Sequence, residues 1–243
     1  MKKLDNFIQD VKKVFNQRLK SVFIYGSKAN INTDKLSSDI DIMVITESVS
    51  GDDLKKCAPV VKKWMGIGCP CRIFDKEKNP LPVFMGEREW FNSADVYAME
   101  YSDIKDNHKI LYGENLICSL NIKKEDLRLQ CEAEMKNLLM RFRKHYLLFA
   151  DNPKEINNAL FSVTKTINAI FKAILRLKEI EVSKSAYANL NKICEIFDAD
   201  KQFYEKLLCA KDRHCKFSKA ETYKLADEAI MQLEKLLEFI NNM

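Results

Sequence analysis

Glycine, proline and histidine are scarce in this sequence, and long apolar runs are missing. Six glycines and five prolines in 243 residues, with 47% hydrophobic and 31% charged residues, exclude disordered, low-complexity and collagen-like chains. No apolar run approaches the roughly 18 residues that a membrane-spanning helix needs. Charged residues also interrupt the apolar ones at the amino-terminal end, where a signal peptide would be continuously apolar. We therefore expect a soluble, cytoplasmic protein.

Patterns of cysteine and histidine that bind zinc or form disulfide frameworks are also missing. The eight cysteines make no Cys-x-x-Cys pair and accompany only three histidines, so we expect reduced thiols. The formal net charge of +5 is small. It permits an anionic partner such as a nucleotide, but it does not indicate a dedicated nucleic-acid-binding protein.

Glycine and proline divide the chain into two parts. All six glycines and four of the five prolines precede residue 119. The remaining 125 residues contain no glycine and a single proline, Pro153. In the first part, short β-branched runs alternate with segments of helical period. The predicted elements are a helix over 4–15, strands over 21–26 and 39–45, a helix over 52–64, and strands over 71–74 and 96–101. Residues 79–93 carry no clear pattern.

The second part has helical periodicity throughout. Apolar stripes begin at Leu127 and Ile156, and Pro153 suits the first turn of the second helix. Ser218 and Glu221 have the spacing of a capping box that opens a last helix. Shorter helices are predicted near 184–197 and 201–211.

These patterns predict an α+β chain of two domains. Residues 1–118 are expected to form an α/β domain with a mixed sheet, and residues 119–243 an all-α helical bundle.

The stretch from residue 22 to 45 contains the residues that indicate chemistry. A buried strand leads into Gly26 and Ser27, a polar spacer follows, and Asp39 and Asp41 open a second apolar strand. Because side chains alternate along a strand, the two aspartates are predicted to share one face while the neighbouring isoleucines enter the core. Two carboxylates at that spacing repel each other unless a cation lies between them, and their oxygens suit Mg²⁺ or Mn²⁺.

Gly26, Ser27 and Lys28 are the candidate nucleotide-binding residues. Gly26 allows the backbone to approach a phosphate, and Ser27 offers a hydroxyl and an N–H group at the predicted start of a helix. The alternative is structural: the Gly-Ser pair is an ordinary turn, and Asp39 is a polar residue that caps or exposes the start of a strand. In combination, the two motifs favour a metal and phosphate site.

The same stretch resembles the signature of the DNA polymerase β-like nucleotidyltransferase superfamily. In that superfamily a Gly-Ser pair, a spacer and a strand of the form Ser-Asp-Ile-Asp-Leu follow one another, and here residues 38–42 read Ser-Asp-Ile-Asp-Ile. The resemblance implies that Asp39 and Asp41 bind two Mg²⁺ or Mn²⁺ ions. It also implies that Gly26 and Ser27 hold the phosphates of a nucleoside triphosphate, with ATP favoured.

Residues 97–117 resemble the end of the catalytic domain in the kanamycin nucleotidyltransferase-like bacterial branch of this superfamily. There, a strand with an acidic residue precedes an Asp-Ile-(Lys/Arg) turn and a Leu-Tyr-Gly sequence, and the same residues follow one another in this sequence. The resemblance implies that Glu100 is the third metal-associated carboxylate. Asp75 is its rival, and the structural alternative for Glu100 is an exposed charge on an edge strand.

Similar enzymes follow this domain with a helical bundle that closes over the nucleotide or the acceptor. Glu132 and Lys136 lie one turn apart on the first predicted helix of the bundle. In the kanamycin nucleotidyltransferase-like branch, an acid and a lysine in a comparable place act as general base and phosphate contact. The alternative is a solvated pair on a helix surface.

These resemblances predict a transferase that moves a nucleoside monophosphate to an acceptor hydroxyl and releases pyrophosphate. The expected acceptor is a small molecule such as an aminoglycoside, or a protein, and a nucleic-acid 3′ end is less favoured. The alternative is a catalytically silent nucleotide-binding sensor or scaffold of the same fold.

Overall fold

The chain folds into two compact units, Met1–Ile122 and Lys123–Met243. The computed structural model describes residues 2–26, 29, 40–66, 80–211 and 217–243. The first unit combines a sheet with helices and the second is helical, which confirms the α+β class. Within the described ranges, no helix is both long and apolar enough to cross a bilayer.

Four strands of the described part of the first unit form one mixed sheet in the order β3-β2-β1-β4. Strand β1 pairs antiparallel with β2 on one side and with β4 on the other, and β2 pairs parallel with β3. The elements of this unit are α1 (Lys2–Phe15), β1 (Leu19–Tyr25), β2 (Asp41–Thr46), α2 (Gly51–Met65), β3 (Val83–Gly86), α3 (Glu87–Asn92), α4 (Ala98–Asp106) and β4 (His108–Gly113).

The sheet separates two hydrophobic cores because its side chains alternate between faces. On one face, Val22, Ile24, Ile42 and Val44 pack with the apolar stripes of α1 and α2. On the other face, alternate residues of β1 and β2 pack with α3 and α4. That second core includes Phe23, Met43, Ile45, Trp90, Tyr101 and Ile104.

Several predicted elements of this unit are confirmed, and one is wrong. The first helix, the strands at 21–26 and 39–45 and the helix at 52–64 match α1, β1, β2 and α2. The strand predicted over 96–101 is wrong, because the chain there enters helix α4, and the last strand is β4. Tyr101 and Ile104 are both buried. Their separation of three residues is a helical spacing, and Ile104 lies beyond the end of the predicted strand. The strand predicted over 71–74 lies outside the described residues.

The second unit contains the helices predicted from its periodicity. They are α5 (Lys124–Leu148), α6 (Pro153–Leu177), α7 (Ala186–Ile196), α8 (Lys201–Lys211) and α9 (Lys219–Asn241). Pro153 is the first residue of α6, and the Asn152 side chain accepts a hydrogen bond from the Glu155 N–H group. Ser218 and Glu221 form the predicted capping box of α9. One expectation needs correction: Cys209 in α8 is disulfide-bonded rather than a reduced thiol.

Candidate active site

The Gly-Ser turn and the aspartate strand are brought together by the register of β1 and β2. Tyr25, the last residue of β1, lies opposite Asp41, the first residue of β2. Gly26 therefore comes next to the Asp41 side chain. A Cβ atom placed on Gly26 would be 3.4 Å from Asp41 Oδ2, and Gly26 has a φ of +81°, a conformation that costs glycine least. The absence of a side chain leaves this backbone open beside a carboxylate.

Strand alternation places Asp41 as the sequence predicts. Ile40 and Ile42 are buried in the core that contains α1 and α2, whereas Asp41 is half-buried and shares the opposite face with Met43 and Ile45. Because Asp41 is the first residue of β2, its carboxylate can lie at the end of the strand while the following residues stay packed in the cores. Asp39, the second aspartate of the motif, lies outside the described residues.

Two further polar residues lie in register with Asp41. Tyr25 pairs with Asp41 on one side and with His108, the first residue of β4, on the other. Cross-strand partners share a face of the sheet, so Asp41, Tyr25 and His108 form a row across three strands, which we call the Asp41 row. The Gly26 N–H group donates a hydrogen bond of 3.0 Å to the Asn107 carbonyl, which ties the glycine turn to the start of β4.

The surroundings keep the Tyr25 phenol protonated and orient the His108 ring. Burial, and secondarily the negative charge of Asp41, raise the pKa of Tyr25, so its phenol stays neutral near neutral pH. The His108 Nδ1 atom lies 2.9 Å from the Ile104 carbonyl oxygen. Because a carbonyl only accepts, Nδ1 carries a proton, and its hydrogen bond orients the ring. The row thus contains a carboxylate, a neutral phenol and an oriented imidazole.

Glu100 lies on helix α4 and not on a strand. Its neighbours Met99 and Tyr101 are buried, and the Glu100 side chain is exposed. Tyr101 belongs to the core on the Asp41 side of the sheet, so α4 covers the face to which Asp41 belongs. The rival Asp75 lies outside the described residues.

Gly26 and Asp41 are the two sequence-predicted site residues that the described structure places next to each other. Ser27 and Lys28 lie outside the described ranges. In the part of the chain that is described, no group of three or more histidine, cysteine, aspartate or glutamate residues is close enough to hold a metal ion. Sequence reasoning missed Tyr25 and His108. Tyr25 directly precedes Gly26, and His108 begins the strand that ends in the Leu-Tyr-Gly sequence. These positions could have indicated both residues if the pairing of β1 with β4 had been known.

Glu132 and Lys136 form an ion pair on α5 that also includes Arg128. The Arg128 Nη1 atom lies 3.0 Å from Glu132 Oε2, and Lys136 donates to the other carboxylate oxygen. These hydrogen bonds, that of Lys136 first, lower the pKa of Glu132. A carboxylate held by two cations accepts a proton less readily, so the pairing disfavours Glu132 as a general base in this state.

Comparison with known proteins identifies a solved structure of the same fold. No protein-family model matches the chain, and no curated protein matches its sequence. The crystal structure of spectinomycin adenyltransferase AAD(9) from Enterococcus faecialis with ATP and spectinomycin superposes with a TM-score of 0.56 at 13% sequence identity. The match covers 96% of this chain and 98% of that one. The likeness extends over both units, and at this identity it shows a shared fold.

Proposed function

We propose that this protein is a metal-dependent nucleotidyltransferase that moves a nucleoside monophosphate from a nucleoside triphosphate, with ATP favoured, to an acceptor hydroxyl. Pyrophosphate is the second product. The position of Gly26 beside the Asp41 carboxylate carries the proposal, because it joins a turn without a side chain to an acidic strand end. The fold shared with an adenyltransferase crystallised with ATP and spectinomycin supports it.

The oxygen donors of the proposed site suit a hard divalent cation. Asp41 supplies a half-buried carboxylate at the strand end, and Asp39 is two positions earlier in the chain. Asp39, Asp41 and Glu100 are the residues that would hold Mg²⁺ or Mn²⁺. When bound, the cations would lower the pKa of the acceptor hydroxyl and neutralise charge on the pyrophosphate.

The chain's own groups bind and orient the substrates in this proposal. Gly26 lets a phosphate approach without a Cβ atom in the way, while its own N–H group stays bonded to Asn107. The N–H groups of Ser27 and Lys28, with the hydroxyl and ammonium groups of their side chains, hold the phosphates, because such groups favour anions. Tyr25 keeps its phenolic proton and can donate a hydrogen bond next to Asp41. The favoured acceptor is a small hydroxylated molecule, and a protein hydroxyl is the second choice.

The test is transfer of label from each α-labelled nucleoside triphosphate, with Mg²⁺ or Mn²⁺, to a panel of acceptors. The panel contains spectinomycin, aminoglycosides, cell-extract small molecules, proteins and RNA. We expect label on one acceptor class with the wild-type chain and its loss in Asp41→Asn, which keeps the size of the side chain but removes its charge. Asp5→Asn is the matched control, because Asp5 is exposed on α1.

The outcomes separate the proposal from its alternative. Metal-dependent nucleotide binding without transfer to any class would favour the sensor or scaffold. Transfer at an unchanged rate in Asp41→Asn would show that the Asp41 carboxylate has no role in the reaction.

A further inference from the structure

The second unit contains a cleft between α5 and α6 that the proposed chemistry does not use. It lies between the last turns of α5 and the first turns of α6, and its volume is about 520 Å³. Leu138, Phe142 and Val163 form an apolar floor, and all three are buried. Leu148 lies at the mouth with 72% of its surface exposed. A ligand with an apolar body could therefore cover surface that now faces water.

The rim of this cleft is basic. Arg141 and Lys144 line it, and no carboxylate is among its lining residues. In the described part of the chain, neither Arg141 nor Lys144 pairs with an acidic side chain. Other cations of α5 are paired: Arg143 with Glu234, and both Arg128 and Lys136 with one glutamate. Both of these cations thus line a cleft whose floor is apolar.

Three polar side chains also line the cleft, and a hydrogen bond orients one of them, His145. His145 lines the cleft, and its Nε2 atom lies 3.1 Å from the Glu155 carbonyl oxygen. Because the carbonyl accepts, Nε2 carries the proton. The ring also packs against Phe149, with 4.6 Å between the centroids. Asn158 and Ser162 add an amide and a hydroxyl from α6. An apolar cavity with a few convergent polar groups is typical of small-molecule sites, whose volumes are about 300–1,000 Å³.

We propose that this cleft binds a small anionic ligand, whose apolar body lies on the floor and whose carboxylate or phosphate contacts Arg141 and Lys144. Every lining residue belongs to α5 or α6, so the observations behind this inference are separate from those behind the proposed nucleotidyl transfer. Charge complementarity selects an anion, and the buried floor selects an apolar body.

Calorimetric titration of the full chain with three naphthalene compounds tests the proposal. The carboxylate 2-naphthoate, the phosphate 2-naphthyl phosphate and the neutral 2-naphthalenemethanol share one apolar body. We expect the two anions to bind roughly tenfold more tightly than the neutral compound, as two exposed ion pairs would give. The tighter anion distinguishes a carboxylate ligand from a phosphate ligand.

Variants locate the binding. The double variant Arg141→Gln/Lys144→Gln should reduce the affinity of both anions to that of the neutral compound. The double variant Lys224→Gln/Lys235→Gln removes the same charge from exposed positions of α9 and should leave all three affinities unchanged. Ser162→Trp, an exposed substitution on α6, should fill the cleft and weaken all three compounds.

Three results would overturn the inference. They are equal affinities for anions and the neutral compound, equal losses in the two double variants, and unchanged binding in Ser162→Trp. Failure of every compound to bind at millimolar concentration would also overturn it, and would leave the basic, apolar surface to a macromolecular partner.

Discussion

Gly26→Ala separates the role of the glycine turn in folding from its role at the site. Gly26 has a φ of +81°, and an L-residue there costs about 1–2 kcal/mol. The added Cβ would lie 3.4 Å from Asp41 Oδ2, a contact that needs little rearrangement. If the free energy of unfolding is at least about 5 kcal/mol, roughly 3 kcal/mol remains and about 99% of the chain stays folded. The same methyl group would occupy the open backbone next to the carboxylate, and a misplacement of about 1 Å can cost roughly a hundredfold in rate.

The assay combines urea unfolding with nucleotidyl transfer on the same preparations. We expect Gly26→Ala to lose about 1–2 kcal/mol of stability and roughly tenfold to hundredfold of transfer rate. Gly51→Ala is the control, because a Cβ there meets nothing within 4 Å. A Gly26→Ala variant with full transfer activity, or one whose activity falls only with its folded fraction, would refute the reasoning.

Three further predictions concern stability. Gly113→Ala should lose about 3 kcal/mol or more in urea unfolding, because its Cβ would lie 1.9 Å from the Lys20 carbonyl oxygen and its φ is +79°. Hydrogen bonds from Arg18 first, and then from Ser50, lower the pKa of Asp53. The stability they confer is therefore complete above about pH 4 and is lost as the pH falls below it, so the melting-temperature advantage of wild type over Asp53→Asn should shrink in acid. Leu160→Ala should lose about 2–5 kcal/mol of unfolding free energy, since Leu160 is fully buried.

Each of these predictions has a control on the same unit. Gly51→Ala should be neutral where Gly113→Ala is not. For Asp53, the control is Arg18→Gln, in which the further change Asp53→Asn should cost less stability at neutral pH than it does in wild type, and an equal cost would contradict the assignment to the Arg18 contact. Leu147 is 83% exposed, so Leu147→Ala should change the unfolding free energy by less than about 0.5 kcal/mol. A comparable loss there would contradict the packing argument.

The sequence was sufficient for elements whose apolar period runs over many residues. The stripe that begins at Ile156 extends over several turns of α6, and Pro153 and Ser218 mark helix starts through local chemistry alone. The two-residue alternation around Asp41 likewise predicted which face its carboxylate takes, because a buried strand constrains every second residue.

Shorter elements and long-range pairings could not be predicted in the same way. Residues 96–101 are rich in strand-forming side chains, and the helical continuation to Ile104 is decided by packing of α4 on Trp90 and Phe23. The four-residue strand β3 has too few positions to show a period. Tyr25 and His108 share a row with Asp41 because of strand register, which the local sequence does not specify.

The central claim is that the Gly26 and Asp41 site transfers a nucleotidyl group. The most direct measurement follows α-labelled and γ-labelled nucleoside triphosphate in parallel reactions with the acceptor panel and Mg²⁺ or Mn²⁺. The claim predicts that the α label appears on the acceptor in a one-to-one ratio with γ label in pyrophosphate, and that both products disappear in Asp41→Asn but not in Asp5→Asn. Appearance of the γ label on the acceptor, or undiminished product formation by Asp41→Asn, would contradict it.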